Sequence, residues 1–451
     1  MNTDPRKSLD EGQMSRFQWA AIAVCVMLIM LDGFDVLVMA FTASSISAEW
    51  KLSGAQLGVL FSAGLLGMAA GSLFLAPWAD HFGRQVIILV CLLVVSVGML
   101  ASAWAQNPFQ LGAMRAITGV GIGGMLASVG VITAEYASAK WRSTAIAMQA
   151  TGYPIGATIG GSIAAVLLAN YGWRSVFIFG GLATAVMIPV VLLRLPESVD
   201  FLITRRPSNA LAKLNALLKQ MHRPELSELP VAPPPVQGGG AARSSSFAGL
   251  FGPGTLGSTM LIWSSFFLLM FNVYFALNWT PKLLVQAGLS AQQGITGGVL
   301  LNIGGIVGGS MFGVLATRIN LGWLTASYML LTACAMAAFG YFTGSLSLAF
   351  ISAVAIGVFM FGSMAGLYAF APIVYPAEIR TTGMGWSIGI GRVGAILAPL
   401  IAGMLLDRGW TPQHLYYAFA LPLLVSMLTV FALRGRAVAT GSPEAALAAA
   451  H

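Results

Sequence analysis

The chain has 451 residues, of which 57% are hydrophobic and 8% charged. Soluble domains carry roughly 25% charged residues, so a water-soluble enzyme and a nucleic-acid binder are both excluded, and the net charge of +8 reads as basic loops on one side of a membrane. A transmembrane β-barrel is excluded because its strands alternate in polarity over about ten residues, whereas the apolar runs here are continuous.

In chain order, residues 1–16 (MNTDPRKSLDEGQMSR) are polar and form a cytoplasmic tail. No short apolar region with a small-residue cleavage site follows, so the first apolar run stays as a span. A span needs about 20 apolar residues. That length predicts spans near 17–41, 54–77, 86–106, 111–134, 143–168 and 175–194. A cytoplasmic loop covers 196–254, with a helix-like segment (NALAKLNALLKQM) and a flexible linker (VAPPPVQGGGAARSSS). Further spans follow near 255–279, 294–316, 321–343, 347–371, 382–405 and 413–433, and residues 435–451 form a second cytoplasmic tail. The predicted fold class is an all-α polytopic membrane protein, with twelve transmembrane helices in two six-helix halves, 17–195 and 255–434. Cys25, Cys91 and Cys334 lie far apart inside apolar runs and imply neither a disulfide framework nor a metal site.

Of the 23 Lys and Arg residues, 17 fall on the side of the termini, four on the opposite side and two within spans. This bias predicts both termini in the cytoplasm. The halves also repeat. A shift of about 238 positions brings Gly119 onto Gly357 and Arg142 onto Arg380, and brings Ala76–Asp80 near Gly313–Thr317. Two halves with the same topology predict parallel repeats around a central cavity.

Only four charges lie well inside spans: Asp32, Asp35, Arg115 and Arg392. A charge at the bilayer centre costs at least about 2.5 kcal/mol, so these four should face one another or a wet cavity. Asp32 and Asp35 are three residues apart and share one helical face. At ~1.5 Å per residue, Asp35 lies about 9 Å and Arg115 about 6–8 Å from the same side, while Asp32 and Arg392 lie about 14–15 Å deep. A carboxyl group caught between desolvation and a nearby arginine can bind and release a proton. A guanidinium stays charged and offers a planar fork to a carboxylate. The expected roles are therefore Arg392 for an anionic substrate and Asp32 or Asp35 for the proton. The alternative is a structural set of ion pairs that fixes helix packing. Asn272, Asn302, Gln149, Tyr153 and Trp386 are weaker substrate-binding candidates, each more readily read as packing or a satisfied hydrogen bond. The histidines lie in loops, at the end of a span or at the C-terminus, so no metal site, catalytic dyad or cofactor is expected.

The motifs resemble those of a known superfamily. APWADHFGRQ (76–85) resembles the G-x-x-x-D-x-x-G-R-R/K loop of major facilitator transporters, with Ala76 and Gln85 departing from the pattern. RAITGVGIGG (115–124), AEYASAKWR (134–142), LPES (195–198) and YPAEIRTTGMG (375–385) also resemble that superfamily. The resemblance implies a cytoplasmic gate formed by Asp80, Gly83, Arg84, Glu135, Arg142, Glu378 and Arg380. LDGFDVLVMAF (31–41), NWTPKLL (278–284) and IGRVGAILAP (390–399) resemble the aromatic acid:proton symporter family. That resemblance implies a bacterial inner-membrane importer, not an enzyme, that takes hydroxybenzoate, benzoate or protocatechuate with protons as the coupling ion. In the resembling sugar porters a first-span acid pairs with a fourth-span arginine, which implies an Asp35–Arg115 pair. A twelve-span chain encloses its own cavity and needs no protein partner. Import of another organic anion or a sugar-like solute is the alternative. Efflux ranks lower, because GYPIGATIGG (152–161) lacks the Gly-Pro dipeptide of the antiporter pattern.

Overall fold

The computed structural model describes residues 5–230, 247–252 and 254–439. Helix α1 spans Pro5–Glu11 and α2 spans Arg16–Trp50. Helix α3 (Gly54–Ala70) runs on through a π turn at Gly71–Leu75 and a 3-10 turn at Ala76–Trp78 into the short α4 (Ala79–Phe82). Then come α5 (Arg84–Ala103), α6 (Pro108–Tyr136), α7 (Arg142–Tyr171), α8 (Trp173–Arg194), α9 (Val199–Arg205) and α10 (Ala210–Gln220). After the linker come α11 (Leu256–Gln286), α12 (Ala291–Leu315), α13 (Leu321–Phe342), α14 (Leu346–Val374), α15 (Ala377–Asp407) and α16 (Pro412–Ala439). Among the described residues there is no strand, and twelve helices are long and apolar enough to cross a membrane. These match the twelve predicted spans one for one.

Two ends differ from the sequence reading. The first span runs nine residues past its predicted end at 41, because Thr42 returns its hydroxyl to the Val38 carbonyl at 2.7 Å and so fits the helix interior. The polar segments flanking the first half are also folded. Leu9 of α1, Leu202 and Ile203 of α9, and Leu214 and Leu218 of α10 are buried in one apolar cluster with Val24, Ile87 and Val191. In α10 the buried positions 210, 214 and 218 recur every four residues, so one stripe docks while Lys213 and Lys219 stay in solvent.

The described residues form two compact units. The first holds α1, most of the first six spans, α9 and α10. The second holds the last six spans together with 37–62 and 158–172, which are the end segments of α2, α3 and α7. In the first unit α5 packs on α6 and α8. In the second, α12 packs on α14, α11 on α15 and α16, and α13 on α14 and α16.

The repeat seen in the sequence reappears as a set of glycine contacts. A Cβ added at Gly67 would lie 2.0 Å from the Ala116 carbonyl oxygen, and one at Gly71 would lie 2.0 Å from that of Val120. In the second unit the matching positions are Gly304 against Val354 at 2.2 Å and Gly308 against Val358 at 1.9 Å. Gly119 meets the Gly64 carbonyl at 2.1 Å and Gly357 that of Leu301 at 1.9 Å. The same two helices are thus joined backbone to backbone in each half, which only glycine permits.

This contact pattern predicts opposite effects at two adjacent positions. Gly308→Ala forces α12 off α14 and should cost about 1–3 kcal/mol. Gly309→Ala meets nothing within 4 Å and should be neutral or stabilising, since alanine is the better helix former. Thermal unfolding of the purified protein in detergent, followed by size-exclusion fluorescence, checks the pair.

Candidate functional site

In the first unit the Asp-Gly-Phe-Asp run of α2 lies against α7. A Cβ at Gly33 would lie 2.1 Å from the Tyr153 carbonyl oxygen, and one at Gly156 would lie 1.8 Å from that of Met30. Gly33 thus lets the two backbones touch between the two acids. Asp32 and Asp35 are both buried and close enough to repel each other. Arg115 of α6 is buried with them. Its Nη2 donates to the backbone carbonyl of Asp35 at 2.7 Å, its Nη1 donates to the Met99 sulfur at 3.0 Å, and its guanidinium lies 5.9 Å from the Phe177 ring centre. The Arg115 charge reaches the Asp35 carboxyl through space, but the hydrogen bond goes to the main chain. Asp35 Oδ1 is buried without a hydrogen-bond partner among the described residues. Gly180 of α8, unremarked in the sequence, presses on this group: a Cβ there would lie 3.4 Å from Asp35 Oδ1 and 2.4 Å from Met99 Cε. Gln149 and Tyr153 are half-buried on α7, with the Gln149 amide facing Gly130 of α6.

In the second unit Arg392 is half-buried on α15 and makes no hydrogen bond or ion pair among the described residues. It lies near Tyr368 of α14, whose ring packs edge-on against Phe266 at 5.3 Å. Tyr368 escaped the sequence reading because it sits in an unbroken apolar run. Gly385 and Gly389 share the helix face of Arg392 and have nothing within 4 Å. Beyond Arg392 the helix is sealed by α3. Ser62 donates to the Ile396 carbonyl at 2.7 Å, and the Gly58 and Gly54 positions press on the Pro399 and Gly403 carbonyls, each at 2.5 Å. The Asp407 carboxylate then accepts the Gly54 and Ala55 amides at 2.6 and 2.8 Å, capping α3 from the far end of the chain.

Helix α12 shows the same change from open to sealed. Gly309 and Gly313 have nothing within 4 Å, while the Gly298 position, one turn before Asn302, lies 3.6 Å from Phe41 and 3.0 Å from Pro281. Arg392 and Asn302 therefore both stand where an open helix face becomes a packed one. Asn272 is placed elsewhere. It lies seven residues beyond Ser265, whose hydroxyl is 2.6 Å from that of Thr429, so it faces α16. Met270 and Phe266, which meet Gly391 of α15, lie on the other side of α11. Trp386 belongs to an aromatic cluster with Phe247 and Trp263, at 5.0 and 6.0 Å, and not to the Arg392 face.

The charges expected at a cytoplasmic gate are assembled at one end of the first unit. Gly83 has φ +102° between α4 and α5, and a Cβ there would meet Glu197 Oε2 at 2.3 Å. Glu197 Oε1 accepts the amides of Arg84 and Ser198 at 2.8 Å each. Arg84 pairs with Glu135 and lies 3.6 Å from Asp80. Arg142 pairs with Asp10 of α1, and Arg6 with Asp200 at 2.5 Å. Arg6, Asp10, Arg84, Glu135, Arg142 and Asp200 line a cavity of about 610 Å³. Glu197 is the member the sequence reading missed, although LPES had been noticed as a motif. Arg380 lies in the second unit, half-buried, and the side chain of Glu378 falls outside the described residues. Among the described residues no group of three or more His, Cys, Asp or Glu side chains is arranged to hold a metal.

A family model described as Major Facilitator Superfamily matches residues 22–387. A gallate transporter of Pseudomonas putida is 34% identical, over 95% of this chain and 94% of its own length. A 4-hydroxybenzoate transporter, PcaK, of the same species is 31% identical, over 95% of each chain. The solved structure of the xylose transporter XylE from E. coli in its inward open conformation superposes with a TM-score of 0.70 at 16% identity, over 92% of this chain and 96% of that one; at that identity the likeness is one of fold.

Removing the Arg84 charge leaves Glu135, whose side chain is 13% exposed, buried without its partner. Arg84→Met should destabilise by roughly 1–3 kcal/mol, and adding Glu135→Leu should recover most of it. A double-mutant cycle on the melting temperature measures the coupling.

Proposed function

The chain belongs to the major facilitator superfamily, and we propose that it imports an aromatic carboxylate together with protons by alternating access. It is a membrane transporter and not an enzyme, as its family and relatives are. Two relatives that align over 95% of the chain carry gallate and 4-hydroxybenzoate, which supports an aromatic acid as the cargo. The observation that carries the reading is Arg392: a half-buried guanidinium, on an otherwise open helix face, with its donors uncommitted among the described residues. Bidentate donation from such a group to a carboxylate is strong and geometrically specific. The alkyl stem of Arg392 and the ring of Tyr368 offer an apolar wall beside it.

Asp32 and Asp35 take the proton in this reading. Two buried carboxyl groups one helical turn apart offer a place where a proton is held and then released as the surroundings change. Arg115 holds the helix that carries them. One proton with a monoanion moves no net charge, so uptake responds to the pH gradient. A second proton would add about 2.3 kcal/mol per 100 mV. The chain works as a monomer in the bacterial inner membrane, with both termini in the cytoplasm and the Arg84–Glu135–Glu197 cluster as a gate on that side.

Purified protein in liposomes with an imposed inward proton gradient should accumulate labelled 4-hydroxybenzoate, with a hexose and a dicarboxylate failing to compete. Arg392→Ala should abolish uptake. Asparagine at the proton-carrying aspartate should end accumulation yet leave exchange of internal for external substrate. Uptake of the hexose in place of the aromatic acid overturns the cargo, and full accumulation by both Asp32→Asn and Asp35→Asn overturns the proton role.

A further inference from the structure

We propose that residues 247–252, which close the central loop, anchor it in the membrane interface, with Phe247 and Phe251 entering the bilayer at headgroup level. This inference holds whatever the cargo. The short segment leads from the linker into α11, and one side of it is fixed to protein. Leu250 is fully buried, and a Cβ added at Gly249 would lie 2.9 Å from Ile379 Cγ2 at the start of α15. The Thr255 hydroxyl donates to the Gly249 carbonyl at 2.7 Å, and the Thr259 hydroxyl donates to that of Leu250 at 3.0 Å. Carbonyls outside a long helix are thus satisfied by side chains, as backbone at membrane depth must be. The other side of the segment carries Phe247 and Phe251, 38% and 41% exposed, with ring centres 5.2 Å apart.

Two tryptophans set the depth. Phe247 lies 5.0 Å from Trp386 of α15, Phe251 lies 5.8 Å from Trp263 of α11, and the two indoles stack at 6.0 Å. Helices α11 and α15 hold 31 residues each, so each is about 46 Å long. A hydrocarbon core of about 30 Å leaves about 8 Å of such a helix beyond each edge. Trp263 and Trp386 come about 10–14 Å after the first residues of their helices, just inside that edge. The partner follows from the face on which the rings sit. Trp386 is 45% exposed and begins a stripe that continues along α15 through Val393, Leu397, Ile401 and Met404, all exposed and all apolar. Along a membrane-spanning helix such a stripe faces lipid, and Phe247 and Phe251 extend it beyond the helix. Aromatic rings favour this level of a bilayer, where apolar body and polar surroundings meet. The first half is built differently. The shift of 238 sets Leu9 opposite Phe247, and Leu9 is buried against protein. The entry to α2 therefore docks on protein, and the entry to α11 docks on lipid.

The test uses the full-length protein in phosphatidylcholine–phosphatidylglycerol nanodiscs, with Cys25, Cys91 and Cys334 replaced by alanine and a bimane label on Gly252→Cys. A side chain at this position meets only ordinary contacts, at 3.4 Å or more, and both phenylalanine rings remain. Lipids carrying a nitroxide on the headgroup or at the top of the acyl chain should quench the bimane more strongly than lipids carrying it near the chain end. Aqueous iodide should quench it about threefold less than a label on Lys213→Cys, on the solvent side of α10. Adding Phe247→Ser and Phe251→Ser should free the segment, so that lipid quenching falls and iodide quenching rises to the level of the α10 label. Iodide quenching at Gly252→Cys as strong as at Lys213→Cys overturns the proposal, and so does strongest quenching from the chain end. A label shielded from lipid and iodide alike overturns it too, because protein, such as a second copy of this chain, then covers the rings. If the two serines leave the quenching unchanged, the rings are not the anchor and the proposal fails; the measurements with both rings in place stand without that variant.

Discussion

In hydrocarbon a helix gains nothing by hiding its leucines against another helix, because the lipid tails are as apolar as leucine. What remains is close approach, and the structure depends on it. The glycines at 67, 71 and 119, and again at 304, 308 and 357, each leave room for a carbonyl oxygen of the neighbouring helix at a distance no Cβ allows. The same device governs the ends that belong to the second unit, where Gly54, Gly58 and Gly403 join α3 to α15. It also governs the Asp-Gly-Phe-Asp run. There Gly33 is the contact with α7, and the two acids are carried wherever that contact puts them.

The buried charges divide by how far their hydrogen-bonding capacity is already committed. Arg115 has a carbonyl, a sulfur and an aromatic face around it. Arg84 is committed to Glu135 and Ser198. Such arginines are fasteners. Arg392 has no such commitments among the described residues, and a guanidinium in that condition is the costly one to keep. Its position near Tyr368 and two open glycines supports the proposed role in binding an anion.

Much of this was legible in the sequence. Twelve apolar runs gave twelve helices, and the shift of 238 that aligned Gly119 with Gly357 comes within one position of aligning the carbonyls they touch, those of Gly64 and Leu301. The motif around Asp80–Arg84 marked a true cluster of charges. The losses have physical causes. Periodicity in a uniformly apolar helix does not say which face meets protein and which meets lipid, so Asn272 and Asn302 looked alike, although one faces α16 and the other stands at the edge of an open face. Tyr368 was hidden for the same reason. The role of Asp407 is not legible in the sequence, because its partners, the amides of Gly54 and Ala55, carry no side-chain signature and lie some 350 residues away. The docking of α1 was missed because one leucine in a polar tail is too weak a pattern to read.

The choice of acceptor by Arg115 has a mechanical consequence. The carbonyl of Asp35 is the ordinary acceptor for the amide of Met39 four residues on. A carbonyl oxygen has two lone pairs, so the guanidinium takes the second while α2 stays α-helical from Arg16 to Trp50. The turn from Asp35 to Met39 spans the point, between Val36 and Leu37, at which α2 passes from the first compact unit into the second. One arginine therefore fastens this 35-residue helix at the turn where its residues pass from one unit to the other, through a backbone oxygen and through neither carboxyl group.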